Sequence, residues 1–282
     1  MPPPAPEATS LLRRCLAEDL AQGGDLTSAA LVPVDASSTG RIVARDEGTI
    51  AGLHLGLDVF YLVRGEGEAE ITVTTHIADG DRVSAGATLA TVEGSSRAIL
   101  TGERTCLNIL GHLSGIATAT QAVVAALSGT ATRVADTRKT TPGLRALEKY
   151  AVRCGGGTNH RFGLHDAVMI KDNHLVVAGS ITEAITRVRS AVGHTVTVTV
   201  EVDRVDQIEA VLAGAPDIIL LDNLRGDDLE RAVALVDGRA ITEASGNLNL
   251  ESAAAVAAAG VDVISLGWIT HSAPRLDVAL DF

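Results

Sequence analysis

Residues 195–222 read TVTVTVEVDRVDQIEAVLAGAPDIILLD, and this stretch decides the fold. Its two ends are aliphatic and β-branched runs that each close on a carboxylate, Glu201 and Asp222; between them the apolar residues recur at helical spacing. A strand, a helix and a second strand of these lengths form a βα repeat with parallel strands, because the helix carries the chain back to its starting edge. The same alternation continues in both directions. Strand-like TRVAD, AVMIK, AITEAS and VDVISLG are separated by helical segments such as SITEAITRVRSAV, DLERAVALV and LESAAAVAAAG. Polar residues fall at or just past the strand ends: Lys171, Glu201, Asp222, Ser245 and Gly267, roughly 20–30 residues apart, one for each unit. A doubly wound sheet rarely recruits a residue from every consecutive strand, whereas a barrel does, so the pattern predicts an α/β barrel. Only six strands are visible after residue 131, which makes the barrel incomplete.

Upstream the pattern changes. Residues 1–10 are proline-rich and aperiodic and are expected to be disordered, and Ser10 opens an amphipathic helix ending near Gly23. From Thr39 to about Gly94, short alternating runs broken by glycine predict a small α/β domain with an antiparallel sheet and one helix around LHLGLDVFYLV. A long helical region follows from Ser96, with Arg97 and Arg104 as its cations.

Composition narrows the possible functions. The chain has 282 residues, 46% of them hydrophobic and only 2% aromatic, so its core is built from Ala, Val, Leu and Ile. No run approaches the ~20 apolar residues of a membrane span, and the first residues lack the layout of a signal peptide, so a cytoplasmic protein is expected. A net charge of −12 argues against nucleic acid or an anionic membrane as partner. Cys15, Cys106 and Cys154 are widely separated, with no ligand spacing for zinc and no disulfide framework; Cys154, beside a glycine run, reads as an incidental thiol rather than a nucleophile.

Against this acidic background, residues 133–174, RVADTRKTTPGLRALEKYAVRCGGGTNHRFGLHDAVMIKDNH, gather cations and contain all the lysines of the chain, Lys139, Lys149 and Lys171. Arg145, Glu148, Lys149 and Arg153 have helical spacing and read as a solvated helix face. Arg138–Lys139 and His160–Arg161 lie instead in Gly/Thr/Asn-rich loops, where paired cations suit an anion. Glu201 and Asp222, on adjacent strand ends, suit Mg²⁺ or ribose hydroxyls. Ser245–Gly246–Asn247 precedes a helix and Gly267 closes the last strand, so the two loops together could bind one phosphate. His271 reads equally as a phosphate donor or a core histidine. Lys171, closing a strand, is also where a Schiff-base aldolase would keep its lysine.

The motifs DTRKTTPGLRALEKYAV, GGGTNHRFGLHDAVMIKDNH, TVEVD, ILLDN and EASGNL closely resemble the quinolinate phosphoribosyltransferase family, from about Glu18 to the C-terminus. The resemblance implies an α/β fold, with an N-terminal α/β sandwich domain over residues 1–112 and an open six-stranded α/β barrel over 113–272, residues 273–282 packing back on the first. It implies that quinolinate and phosphoribosyl pyrophosphate react with Mg²⁺ to give nicotinate mononucleotide, CO₂ and pyrophosphate. Lys139, Lys171, Glu201 and Asp222 are then the catalytic set, Glu201 and Asp222 the metal ligands, and Arg138, His160 and Arg161 further substrate contacts. Arg104, in GERTCLN, is implied to serve the site of a neighbouring subunit in a homodimer or larger assembly. Two departures stand out: Asn247 where the family usually has a second glycine, and Trp268 where it has a small residue.

Overall fold

The computed structural model describes residues 5–282. In the first part of the chain α1 (Ala5–Leu20), α2 (Leu26–Leu31), β1 (Ser37–Ala44), β2 (Gly48–Thr49), α3 (Leu53–Val63), β3 (Thr72–Thr75), β4 (Arg82–Val83) and β5 (Thr88–Ser95) lead into the long α4 (Ser96–Ala126). Strands and helices then alternate: β6 (Arg133–Ala135), α5 (Arg145–Cys154), β7 (Val168–Ile170), α6 (Asp172–Ala178), α7 (Ile181–Ala191), β8 (Val198–Val202), α8 (Ile208–Leu212), β9 (Ile218–Asp222), α9 (Gly226–Val236), β10 (Ile241–Ser245), α10 (Leu250–Ala258) and β11 (Val263–Ser265). The short α11 (Trp268–His271) and β12 (Val278–Asp281) complete the order. Residues 5–10, expected to be disordered, are the first turns of α1, which extends the amphipathic run Leu11–Leu20 backwards; residues 1–4 lie outside the described residues.

Contacts divide the chain into two compact units. The first comprises the chain up to Ala119, Ala146–Gly156 and Ala273–Phe282. Its main sheet is antiparallel in the order β12-β1-β5-β3, so the C-terminal strand pairs with the first strand of the chain. Phe60, Leu53, Leu57, Ile42, Leu89 and Leu110 are fully buried in it. Gly115 on α4 allows the return of the C-terminal segment, since a Cβ there would lie 2.1 Å from the carbonyl oxygen of Pro274. By length and composition α4 could cross a bilayer, against the expectation that no run comes close; more than half of its most apolar window, 56%, is buried inside the protein. Burial within the fold accounts for that apolarity.

The second unit comprises Thr120–Arg145 and Gly157–Ser272. Its sheet is parallel, in the order β6-β11-β10-β9-β8-β7, and β6 and β7 do not pair, so the six-stranded barrel is open as expected. The opening falls where the connection from β6 to β7 sends α5 out to be counted with the first unit. Val198, Val200, Ile219, Leu221, Ala244 and Ile264 are fully buried, as strands covered on both faces require.

The reading of α5 as a solvated face is corrected for Arg145, Glu148 and Lys149, while Arg153 is exposed as expected. Its hydrophobic face buries Leu147, Ala151 and Val152, and Glu148 and Lys149 are buried with them. Glu148, with no exposed surface, accepts from His112 Nε2 at 2.9 Å. Arg153 stacks over Tyr150, 5.9 Å from the ring centre. Arg145 is half-buried and holds the basic loop of the second unit through Thr140 Oγ1 at 3.0 Å and the carbonyl of Phe162 at 3.1 Å. Ion-pair spacing alone does not tell a solvated face from a buried one that pairs its charges internally.

Candidate active site

At the C-terminal end of the parallel strands lies a pocket of about 640 Å³, lined entirely by the second unit. Strand alternation builds its floor and its rim. Side chains two apart on a strand share a face, so Met169 and Lys171, Leu220 and Asp222, Glu243 and Ser245, and Ser265 and Gly267 enter the lining in pairs. Arg138, Lys139, His160, Arg161, Glu201, Gly246, Asn247 and His271 complete the predicted set; Arg104 alone is not part of this lining.

The cations are held, not merely present. Lys171 Nζ is paired with Glu201 across adjacent strand ends. The lysine backbone N–H donates to His174 Nδ1 at 3.0 Å, which fixes the start of α6. Lys139 is anchored through its carbonyl, which accepts from Thr270 Oγ1 at 2.8 Å. Its aliphatic chain runs across Gly267, where a Cβ would come within 2.8 Å of Lys139 Cδ. Arg161 Nη1 donates to the Ala167 carbonyl at 3.0 Å. Burial, and next the nearby Arg138, lower the Arg161 pKa from its usual value, with Asp166 opposing; a guanidinium starts so high that it stays charged. Two cations kept close together form a site that a dicarboxylate would relieve.

The carboxylate Asp222 is fixed on both oxygens, by Ser245 Oγ at 2.8 Å and by Asn223 Nδ2 at 2.8 Å. Asn223, with φ 58°, donates its backbone N–H to the Ser245 carbonyl at 3.1 Å. Arg225 Nη2 donates to the Gly246 carbonyl from the same loop. In a planar trans peptide the N–H points opposite to the carbonyl, so the amides of Gly246 and Asn247 face away from those donors. This is the arrangement an anion-binding turn needs. Asn247 keeps φ 42°, so the departure from a second glycine retains the left-handed backbone, which asparagine tolerates. Trp268 opens α11 at the pocket wall, and its buried Nε1 has no hydrogen-bond partner among the described residues. His271 Nδ1 lies 2.6 Å from Ser272 Oγ.

Sequence reasoning missed Glu243. It lies two residues before Ser245 on β10, only 3% exposed, on the pocket floor. The signal was available: a carboxylate inside a strand, on the face its end residue shares. Cys154 is not in the lining, and burial, the largest cause, raises its thiol pKa, against a nucleophilic thiolate.

An open parallel barrel with a cationic pocket and a phosphate-type turn at its strand ends defines an α/β-barrel enzyme for a small polyanion. The quinolinate phosphoribosyl transferase N-terminal domain pattern matches residues 25–114 and the C-terminal domain pattern residues 116–281. The chain is 47% identical over 279 residues to the nicotinate-nucleotide pyrophosphorylase [carboxylating] of Mycobacterium leprae, covering 97% of this chain and 96% of that one. It is 38% identical to quinolinate phosphoribosyltransferase [decarboxylating] 1b of Nicotiana tabacum, covering 98% and 83%. The crystal structure of NadC from Streptococcus pyogenes superposes with a TM-score of 0.95 at 38% identity, over 100% of this chain and 98% of that one. The chain belongs to the quinolinate phosphoribosyltransferase family.

Proposed function

We propose that the protein transfers the phosphoribosyl group of phosphoribosyl pyrophosphate to the ring nitrogen of quinolinate, releasing pyrophosphate and CO₂ and leaving nicotinate mononucleotide. The observation that carries this is the convergence of Arg138, Lys139, Arg161 and Lys171 with two fixed carboxylates and two glycine turns on one strand-end pocket. Quinolinate carries two carboxylates, and guanidinium pairs grip such groups bidentately. Arg138 and Arg161 take that role, with Lys139 beside them. Pyrophosphate leaving ribose C1 builds oxocarbenium character, so the site acts by charge placement and alignment rather than through a covalent nucleophile. Lys171 faces the developing charge of the leaving group. Glu201 and Asp222 face the ribose, and Ser245–Gly246–Asn247 with Gly267 and His271 hold the 5′-phosphate. Once ribosylated, the ring nitrogen is cationic and stabilises the electron pair left on the adjacent ring carbon as CO₂ departs, and a proton taken up at that carbon completes nicotinate mononucleotide. An aldolase reading is disfavoured because the Lys171 ammonium is engaged by Glu201.

Mg²⁺ fits this site in one manner. No group of three or more metal-ligating His, Cys, Asp or Glu side chains occurs among the described residues, so no protein cage exists. Two neighbouring carboxylates suit an ion that arrives on the pyrophosphate and keeps most of its waters. Bound there, it would neutralise phosphate charge. We assign Glu201 and Asp222 to it.

The same reading makes the enzyme a cytoplasmic homodimer, or a larger assembly of dimers, with Arg104 serving the partner's pocket. Arg104 is 68% exposed, and the ion pair seen for it is with adjacent Glu103 at 3.9 Å. Leu164, Val176 and Val177 are exposed apolar groups of the second unit that a second subunit would cover.

Mass detection of nicotinate mononucleotide from protein, quinolinate, phosphoribosyl pyrophosphate and Mg²⁺ tests the activity, and excess chelator should abolish it. Nicotinate, with one carboxylate fewer, leaves part of this cation cluster without its partner, so its kcat/KM should be lower by at least about 100-fold. Equal kcat/KM for the two acids would overturn the reading.

A further inference from the structure

Glu243 is a third carboxylate of the pocket lining, only 3% exposed on its floor, and its nearest titratable neighbour is a protein side chain. Its Oε1 is buried and makes no hydrogen bond with good geometry to any described residue, yet it lies 3.3 Å from His160 Nε2. The other ring nitrogen, Nδ1, accepts the backbone N–H of Arg161 at 2.6 Å. The backbone N–H of His160 donates to Asp136 Oδ1 at 2.8 Å, and Asn159 Nδ2 donates to the second oxygen of the same acid at 2.6 Å. Asp136 directly follows β6 and has no exposed surface. The TNHR loop is therefore held by one buried acid on its backbone and faced by another across its imidazole.

These contacts fix a proton. A nitrogen that accepts an N–H carries no hydrogen, so the neutral ring is protonated at Nε2. That hydrogen is the donor within reach of Glu243 Oε1, and a small ring rotation completes the bond. A buried acceptor left without one is strongly disfavoured.

We propose that Glu243 is a positioning residue for the dicarboxylate end of the pocket: it holds His160 as the Nε2–H tautomer, whose Nδ1 fixes the Arg161 amide and so the guanidinium presented beside Arg138. His160 is then a neutral strut rather than another cation for the substrate. The proposal rests on reading this end as the quinolinate site.

Nitrogen-15 NMR of histidine-labelled wild-type protein, with His160 assigned by its loss in His160→Gln, should show the neutral Nε2–H form at neutral pH. An Nδ1–H tautomer or an imidazolium would overturn the proposal, and this measurement needs no folded Glu243 variant. In kinetics, Glu243→Gln should raise the KM for quinolinate about tenfold while the KM for phosphoribosyl pyrophosphate stays within about twofold. Glu243→Asp, which keeps the charge, should fall between it and wild type. His160→Gln should show the same split, and the double variant should be no worse than either single one. Equal changes in both KM values, or none, would overturn it. If wild-type protein does not use quinolinate at all, the functional reading fails, and the tautomer still decides the role of Glu243.

Discussion

At Gly246 the backbone leaves no room for a side chain. With φ 86°, an added Cβ would lie 2.2 Å from Asn223 Oδ1 and 2.5 Å from its Cγ. Asn223 cannot simply swing away, because its Nδ2 holds Asp222 and its N–H holds the Ser245 carbonyl. Gly246→Ala therefore strains the turn by about 1–2 kcal/mol and also loosens Asp222. Its KM for phosphoribosyl pyrophosphate should rise at least tenfold, with the KM for quinolinate much less affected. An unchanged phosphoribosyl pyrophosphate KM would show that this turn does not hold the phosphate. Cysteine needs no part in this account. The Cys106 thiol has no exposed surface, and burial raises its pKa to about 12.

Among the elements, the strands were legible and so was α5 as a helix, but its burial was not. The six barrel strands, three to five residues long, follow from short, mostly apolar or β-branched runs with a polar residue or glycine at or just past the end, a signal set by burial on both faces. The rim residues were readable for the same reason, since a polar side chain is costly to bury and stands at the end of an apolar run where the strand reaches solvent or a ligand. Glu243 was missed because it interrupts its strand instead of ending it. The helix α6 was missed because seven residues with no buried side chain give no amphipathic period. On α5 the charges have the spacing of a solvated face, but Glu148 is paired with His112 in the first unit. Removing that acid leaves a cavity and an unpaired imidazole. Glu148→Ala should lower unfolding stability by about 3 kcal/mol in chemical denaturation, far more than a surface ion pair would. A loss of a few tenths of a kcal/mol would restore the solvated-face reading.

At the scale of the whole molecule, the pocket of one chain holds every proposed contact except Arg104. That residue belongs to the first unit, on a helix that precedes all the barrel strands, and two-thirds of its side chain is exposed. If a two-fold dimer supplies it to the neighbouring pocket, two identical shared sites result. Arg104→Ala and Lys171→Ala proteins should then each be inactive alone. Mixed under conditions that exchange subunits, they form heterodimers in which one site has both its arginine and its lysine and the other has neither. Random reassortment of equal amounts places about half the protein in heterodimers, so about a quarter of the wild-type sites should return. Exchange is checked independently by mass tagging one variant. With exchange established, activity that stays at the level of the separate variants would mean that Arg104 serves its own subunit's site or none.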